Sequence, residues 1–168
     1  MGQKYQKIIG LDPGLRCTGW GIIETDGFHL RHIANGFVKT KSDYALSDRL
    51  LQLFEGLQEA YFLHKPDEAA VEETFVNMNP QSTLKLGLAR GAVVLSAAKY
   101  GMSVAEYKPN KVKKAVTGVG HAQKEQVQMM LKVLLPQAKV TNPDAADALA
   151  VAICHSRYRE TIMMRAET

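Results

Sequence analysis

Residues 143–157 read Pro-Asp-Ala-Ala-Asp-Ala-Leu-Ala-Val-Ala-Ile-Cys-His-Ser-Arg. Wound as a helix, this segment is apolar around most of its circumference, so it must be buried on nearly all sides. No apolar run in the chain approaches the ~20 residues that span a bilayer, so the covering layers must come from the protein itself. The composition can supply them. Hydrophobic residues make up 46% and charged residues 23%, which fits an ordinary globule and argues against disorder. At 168 residues the chain is long enough to fold without disulfides or a structural metal. One domain over 1–158 and a flexible tail over 159–168 are expected. The buried segment also carries Asp147 among Ala145, Ala146, Ala148 and Leu149. A carboxylate in such a helix needs a partner, and a metal ion would serve.

The remaining segments follow in an order that fixes the fold class. Residues 5–12 read as a strand running into the Pro13-Gly14 turn. Residues 18–24 and 29–39 read as two more strands, joined at Asp26-Gly27, a hairpin signal. Leu46, Leu50, Leu53, Leu57 and Ala60 have helical spacing within 44–64. Short strands are expected at 69–72 and 103–107, and helices at 82–100, 108–116, 123–135 and 143–157. Three antiparallel strands followed by alternating helices and strands predict an α/β fold, a mixed five-stranded sheet flanked by helices.

Four acidic residues lie where elements begin or end. Asp12 ends the first strand and Glu72 ends the fourth. Asp144 and Asp147 are three apart and share one helix face. Each has an ordinary explanation: a turn residue, a solvated strand end, and an acidic first turn behind the Asn142 cap and Pro143. Together they could converge at one sheet edge. Clustered carboxylates repel each other unless a cation sits between them, and hard divalent ions prefer oxygen ligands. Zinc-type histidine and cysteine spacings, phosphate-binding loops and nucleophile-elbow motifs are all missing from the sequence.

Charge is unevenly distributed. The chain is +4 overall, with net −3 over residues 1–84 and +8 over residues 85–139. Such asymmetry points to a polyanion partner or to a solvated basic face. Cys17 and Cys154 are far apart, as expected of reduced thiols in a cytoplasmic protein. Residues 1–7 lead into no apolar leader, so secretion is not expected.

Ile9-Gly10-Leu11-Asp12-Pro13-Gly14-Leu15-Arg16, then Thr18-Gly19-Trp20-Gly21, resembles the opening motif of the bacterial Holliday junction resolvase family RuvC. Ala70-Val71-Glu72 with Phe75 resembles its second acidic motif. Leu84-Lys85-Leu86-Gly87 with Ala89-Arg90-Gly91, and Asp144-Ala145-Ala146-Asp147-Ala148-Leu149-Ala150, resemble the segments that follow. The resemblance runs from about residue 5 to 158.

It implies a ribonuclease H-like fold, a homodimer, and two symmetric Mg²⁺-dependent cuts in four-way DNA junctions during recombination and repair. Two Mg²⁺ ions per site are implied, with Mn²⁺ able to substitute. Asp12, Glu72, Asp144 and Asp147 would be the catalytic metal ligands, and Glu73 a non-catalytic neighbour. Lys113 and Lys124 would meet the scissile phosphate, Lys124 also as a catalytic group. Phe75 would stack on an unpaired base; its other reading is a lid over the core. Gly87 and Gly91 would lie in the dimer interface; their other reading is tight packing on the sheet. The junction-migrating helicase complex RuvA–RuvB is an implied partner, and the bacterial cytoplasm and nucleoid the implied location. Competing readings are a junction clamp that does not cut, an actin-like phosphotransferase, and a nuclease acting on RNA precursors. The phosphotransferase would need a second lobe for which there is no room.

Overall fold

The structure, a computed structural model, describes residues 5–73 and 79–166, with side chains through residue 159. Strands β1 (Gln6–Asp12), β2 (Cys17–Thr25) and β3 (Leu30–Lys39) form an antiparallel meander. At its turn the Asp26 carboxylate accepts from the backbone N–H groups of Phe28 and His29, and Gly27 takes a φ of 96°. Strands β4 (Glu68–Glu72) and β5 (Val104–Tyr107) run parallel to β1, giving the order β3-β2-β1-β4-β5. This is the mixed sheet that the sequence predicts.

Strand alternation sends side chains to two cores. Ile9, Leu11, Ile22, Ala69 and Val71 pack under helices α1 (Leu46–His64) and α2 (Pro80–Tyr100). Ile8, Ile23 and Ala70 pack under α3 (Pro109–Thr117), α4 (Lys124–Leu134) and α5 (Pro143–Ala166). Helix α2 starts two residues earlier than expected, because the Asn79 side chain caps the N–H groups of Gln81 and Ser82 and Pro80 fits the first turn. Helix α5 runs to Ala166 rather than stopping near Arg157. Residues 158–166 hold no glycine or proline to end it.

The buried helix expected from the sequence is α5, and it lies directly on β1 and β2. Ala145, Ala148, Leu149 and Ile153 are fully buried. Glycines in the strands make the close approach possible. A Cβ at Gly10 would stand 2.6 Å from the Ala152 nitrogen and closer still to the Ala148 carbonyl oxygen. One at Gly19 would stand 2.7 Å from the Ala145 nitrogen, and one at Gly21 2.5 Å from Leu149 Cγ. Gly10 and Gly21 are register partners, so the strands offer a side-chain-free track and α5 answers with alanines. Farther along, His155 stands 2.7 Å from both the Tyr107 hydroxyl and the Glu68 carboxylate, and Arg159 also pairs with Glu68. This network ties α5 to β4 and β5.

Candidate active site

Strand parity puts Asp12 and Glu72 on the α5 side of the sheet. Asp12 follows Ile8 and Gly10 at a period of two, and Glu72 follows Ala70. The register pairs Leu11 with Val71, so Asp12 and Glu72 end adjacent parallel strands side by side. The carboxyl ends of parallel strands are where α/β sheets place ligands. Helix α5 enters over this edge. Asn142 caps it by accepting from the N–H groups of Asp144 and Ala145, which sets Asp144 and Asp147 on the turns nearest the strand ends.

The four carboxylates act on one another as charges. Burial pushes the Asp12 carboxyl up to about 7, with Asp147, Asp144 and Glu72 adding to the rise and Lys124 opposing it. Glu72 is also raised, first by burial and then by Asp147, against Lys113 and Lys124. Lys124 Nζ donates to Asp147 Oδ2 at 3.0 Å, and that bond holds the ammonium group above its ordinary pKa. A cavity of about 240 Å³ is lined by Glu72, Lys113, Lys124 and Asp147. The structure therefore brings together Asp12, Glu72, Asp144, Asp147, Lys113 and Lys124, drawn from five separate elements.

Among the described residues no three or more acidic, histidine or cysteine side chains stand close enough together to hold a metal ion as they are. The donor set nonetheless fits a hard divalent cation. It is all carboxylate oxygen, and half-buried Asp12 faces three like charges that such a cation would neutralise.

Other expected residues lie elsewhere. Phe75 falls outside the described residues. Gly87 and Gly91 are on the exposed side of α2, where a Cβ at either would meet nothing within 4 Å, so tight packing on the sheet is not their role. Lys111 lies over the Tyr158 ring at 4.2 Å. Cys154 is buried in the core. Cys17 is half-buried beside Asp144, and burial and the hydrogen bond to that carboxylate push its thiol up to about 12. The sequence carries no sign of this contact, because it depends on where the start of β2 meets the start of α5. The Gly10, Gly19 and Gly21 track could have been read from a period-two run of glycines opposite an alanine-rich helix.

Half-buried Asp12 and Glu72, both with raised pKa, stand with Asp144 and Asp147 at the strand ends of this sheet and are faced by lysines, which defines a metal-dependent nuclease of the ribonuclease H-like class. The yeast mitochondrial Holliday junction resolvase Ydc2 shares the fold, with a TM-score of 0.66 at 13% identity over 94% of this chain and 82% of that one. The family model for crossover junction endodeoxyribonuclease RuvC matches residues 8–155, and the chain belongs to that family. RuvC of Allorhizobium ampelinum is 57% identical over 159 residues, covering 95% of this chain and 94% of the relative. RuvC of Sinorhizobium medicae is 57% identical over 159 residues, covering 95% of each. A solved Thermus thermophilus RuvC in complex with a Holliday junction substrate has a TM-score of 0.86 at 32% identity, covering 93% of this chain and 96% of that one. Membership in this family implies dependence on a divalent metal. Among the described residues no helix is long and apolar enough to cross a membrane.

Proposed function

We propose that this chain resolves four-way DNA junctions in the bacterial cytoplasm, as a homodimer making two symmetric phosphodiester cuts. The observation that carries the reading is the convergence of Asp12, Glu72, Asp144 and Asp147 with Lys113 and Lys124 at one sheet edge. A pure DNA clamp would be weakened by four carboxylates facing phosphates.

Asp12, Glu72, Asp144 and Asp147 would hold two Mg²⁺ ions. Once bound, these supply Lewis-acid activation of water and charge neutralisation at the phosphate. Asp12 feels the charge of all three other acids, so a bound cation would relieve it most. Lys113 and Lys124 hold the scissile phosphate and offset the charge that builds on it in the transition state. Water oxygen bonds to phosphorus in line and releases a proton to solvent, the P–O3′ bond breaks, and O3′ takes up a proton from solvent. The ends are a 5′-phosphate and a 3′-hydroxyl. Phe75 would stack on a base unpaired at the crossover.

The dimer surface is assigned to α2. Leu84, Leu88 and Leu95 are 66%, 41% and 61% exposed, and with Gly87, Gly91 and Ala98 they form a stripe turned away from buried Ala89, Val93 and Ala97. The glycines would let two helices approach closely. A two-fold axis through this stripe would give two equivalent sites for two cuts. RuvA–RuvB is the partner proposed to deliver the junction.

The test is cleavage of a labelled synthetic four-way junction with and without Mg²⁺. Paired symmetric nicks that require Mg²⁺ and vanish in Asp12→Asn are expected. Tight binding with no nicks, in several junction sequences and with Mn²⁺ tried, would contradict the reading.

A further inference from the structure

A second groove opens on the other side of Asp144 from Lys113 and Lys124. Its volume is about 680 Å³, and its lining includes Arg16, Ser42, Arg49, Ser82, Lys85 and Asp144. It is larger than the cavity beside Lys113 and Lys124. Three cations and two hydroxyls line it, against one carboxylate, and that carboxylate is where it meets the acidic centre.

The cations have different jobs. The Arg49 guanidinium is spent on the scaffold: Nε donates to Thr40 Oγ1 at 2.9 Å and Nη2 to the Leu15 carbonyl at 3.3 Å. Thr40 donates its hydroxyl to the same Leu15 carbonyl and its N–H to the Arg16 carbonyl. The loop after β1 is therefore pinned, and Arg16 is presented from a braced backbone. The charged ends of Arg16 and Lys85 make no hydrogen bond or ion pair among the described residues, and both residues are exposed. Four other cations do have acid partners: Arg31 pairs with Glu24, Arg90 with Glu106, Arg159 with Glu68 and Lys124 with Asp147. Lys39, the register partner of Cys17, adds a further positive charge close to this groove.

We propose that this groove binds the phosphate backbone of the DNA strand flanking the cut, with Arg16 and Lys85 as the contacting cations and Arg49 as a positioning residue. The inference rests on the junction-cleaving reading above. A strand crossing the carboxylates is repelled by them, so holding it there takes cations on both sides. Lys113 and Lys124 provide one side, and Arg16 and Lys85 the other.

The experiment measures affinity for a synthetic four-way junction across salt concentrations, without divalent metal. Removing one phosphate-binding cation reduces the slope of log affinity against log salt by roughly 0.7–0.9. In the dimer each substitution occurs twice, so Arg16→Ala/Lys85→Ala is expected to lower the slope by roughly 2.8–3.6, and each single variant by about half of that. In Mg²⁺, KM should rise while kcat at saturating junction stays near wild type, with the dimer mass unchanged. A wild-type slope in the double variant would overturn the groove while leaving the junction reading intact. Failure of the wild type to bind the junction at all would overturn both.

Discussion

Gly10→Ala tests whether α5 is placed by a side-chain-free track. The added methyl would lie 2.6 Å from the Ala152 nitrogen, where an ordinary contact begins near 3.4 Å, and it would overlap the Ala148 carbonyl oxygen more severely. Helix α5 must therefore retreat by about 1 Å or more, and overpacking of this kind costs ~1–3 kcal/mol. The upper end applies, because the obstruction is backbone on both sides and no side chain can rotate away. About 3 kcal/mol is a roughly 100-fold fall in the ratio of folded to unfolded protein. Function should suffer separately, since Asp147 stands one residue before Ala148. Displacement of a reacting group by ~1 Å can cost about 100-fold in rate. Urea unfolding followed by circular dichroism gives the first number. Single-turnover junction cleavage, at a temperature where the variant is folded, gives the second. A variant within about 0.5 kcal/mol of wild type, the range of a neutral surface change, would refute the close-packing argument.

Asp12 titrates near 7 in the fold against an ordinary 3.8, so folding disfavours its charged form. Metal-free protein should lose stability as pH rises from about 4 through 7, and Asp12→Asn should recover on the order of 2–4 kcal/mol at pH 8 and nothing at pH 4; parallel thermal melting profiles for the two proteins would contradict this. Glu68 shows the opposite sign. Its pKa is lowered from 4.5 to about 2, first by the His155 hydrogen bond, so its contribution is complete above 4.5 and is lost as pH falls toward 2. Up to about 3 kcal/mol should disappear over that window, and Glu68→Gln should flatten the acid limb of the stability curve seen by circular dichroism. Leu88→Glu, on the exposed stripe of α2, should convert the proposed dimer to a monomer by light scattering with little change in subunit melting; a retained dimer would move the interface elsewhere.

The order of elements was legible because turns and periodicities carried it. Asp26-Gly27 marks the hairpin, the leucine spacing from Leu46 to Ala60 marks α1, and the apolar run from Ala145 to Ile153 marks the buried helix. Asp12, Glu72, Asp144 and Asp147 were legible as candidates, yet each taken alone had an ordinary explanation. What unites them is strand parity and the Leu11–Val71 register, which no local pattern reports. The end of α5 lies beyond the expected point because nothing after Arg157 breaks a helix; its length is set by propensity rather than by the buried run. Arg16 and Lys85 come from a turn and a helix about 70 residues apart, and only the tertiary fold places them around one groove. The Cys17–Asp144 contact is of the same kind.

The most direct test of the central claim uses a supercoiled plasmid that extrudes a cruciform, incubated with this protein in Mg²⁺. Two coupled symmetric cuts across the four-way junction convert the circle to a linear molecule with ligatable ends. The account predicts linear product from the cruciform plasmid, none from a relaxed plasmid without the inverted repeat, and none from Asp147→Asn. Equal cutting of both plasmids, or linear product from Asp147→Asn, would contradict it.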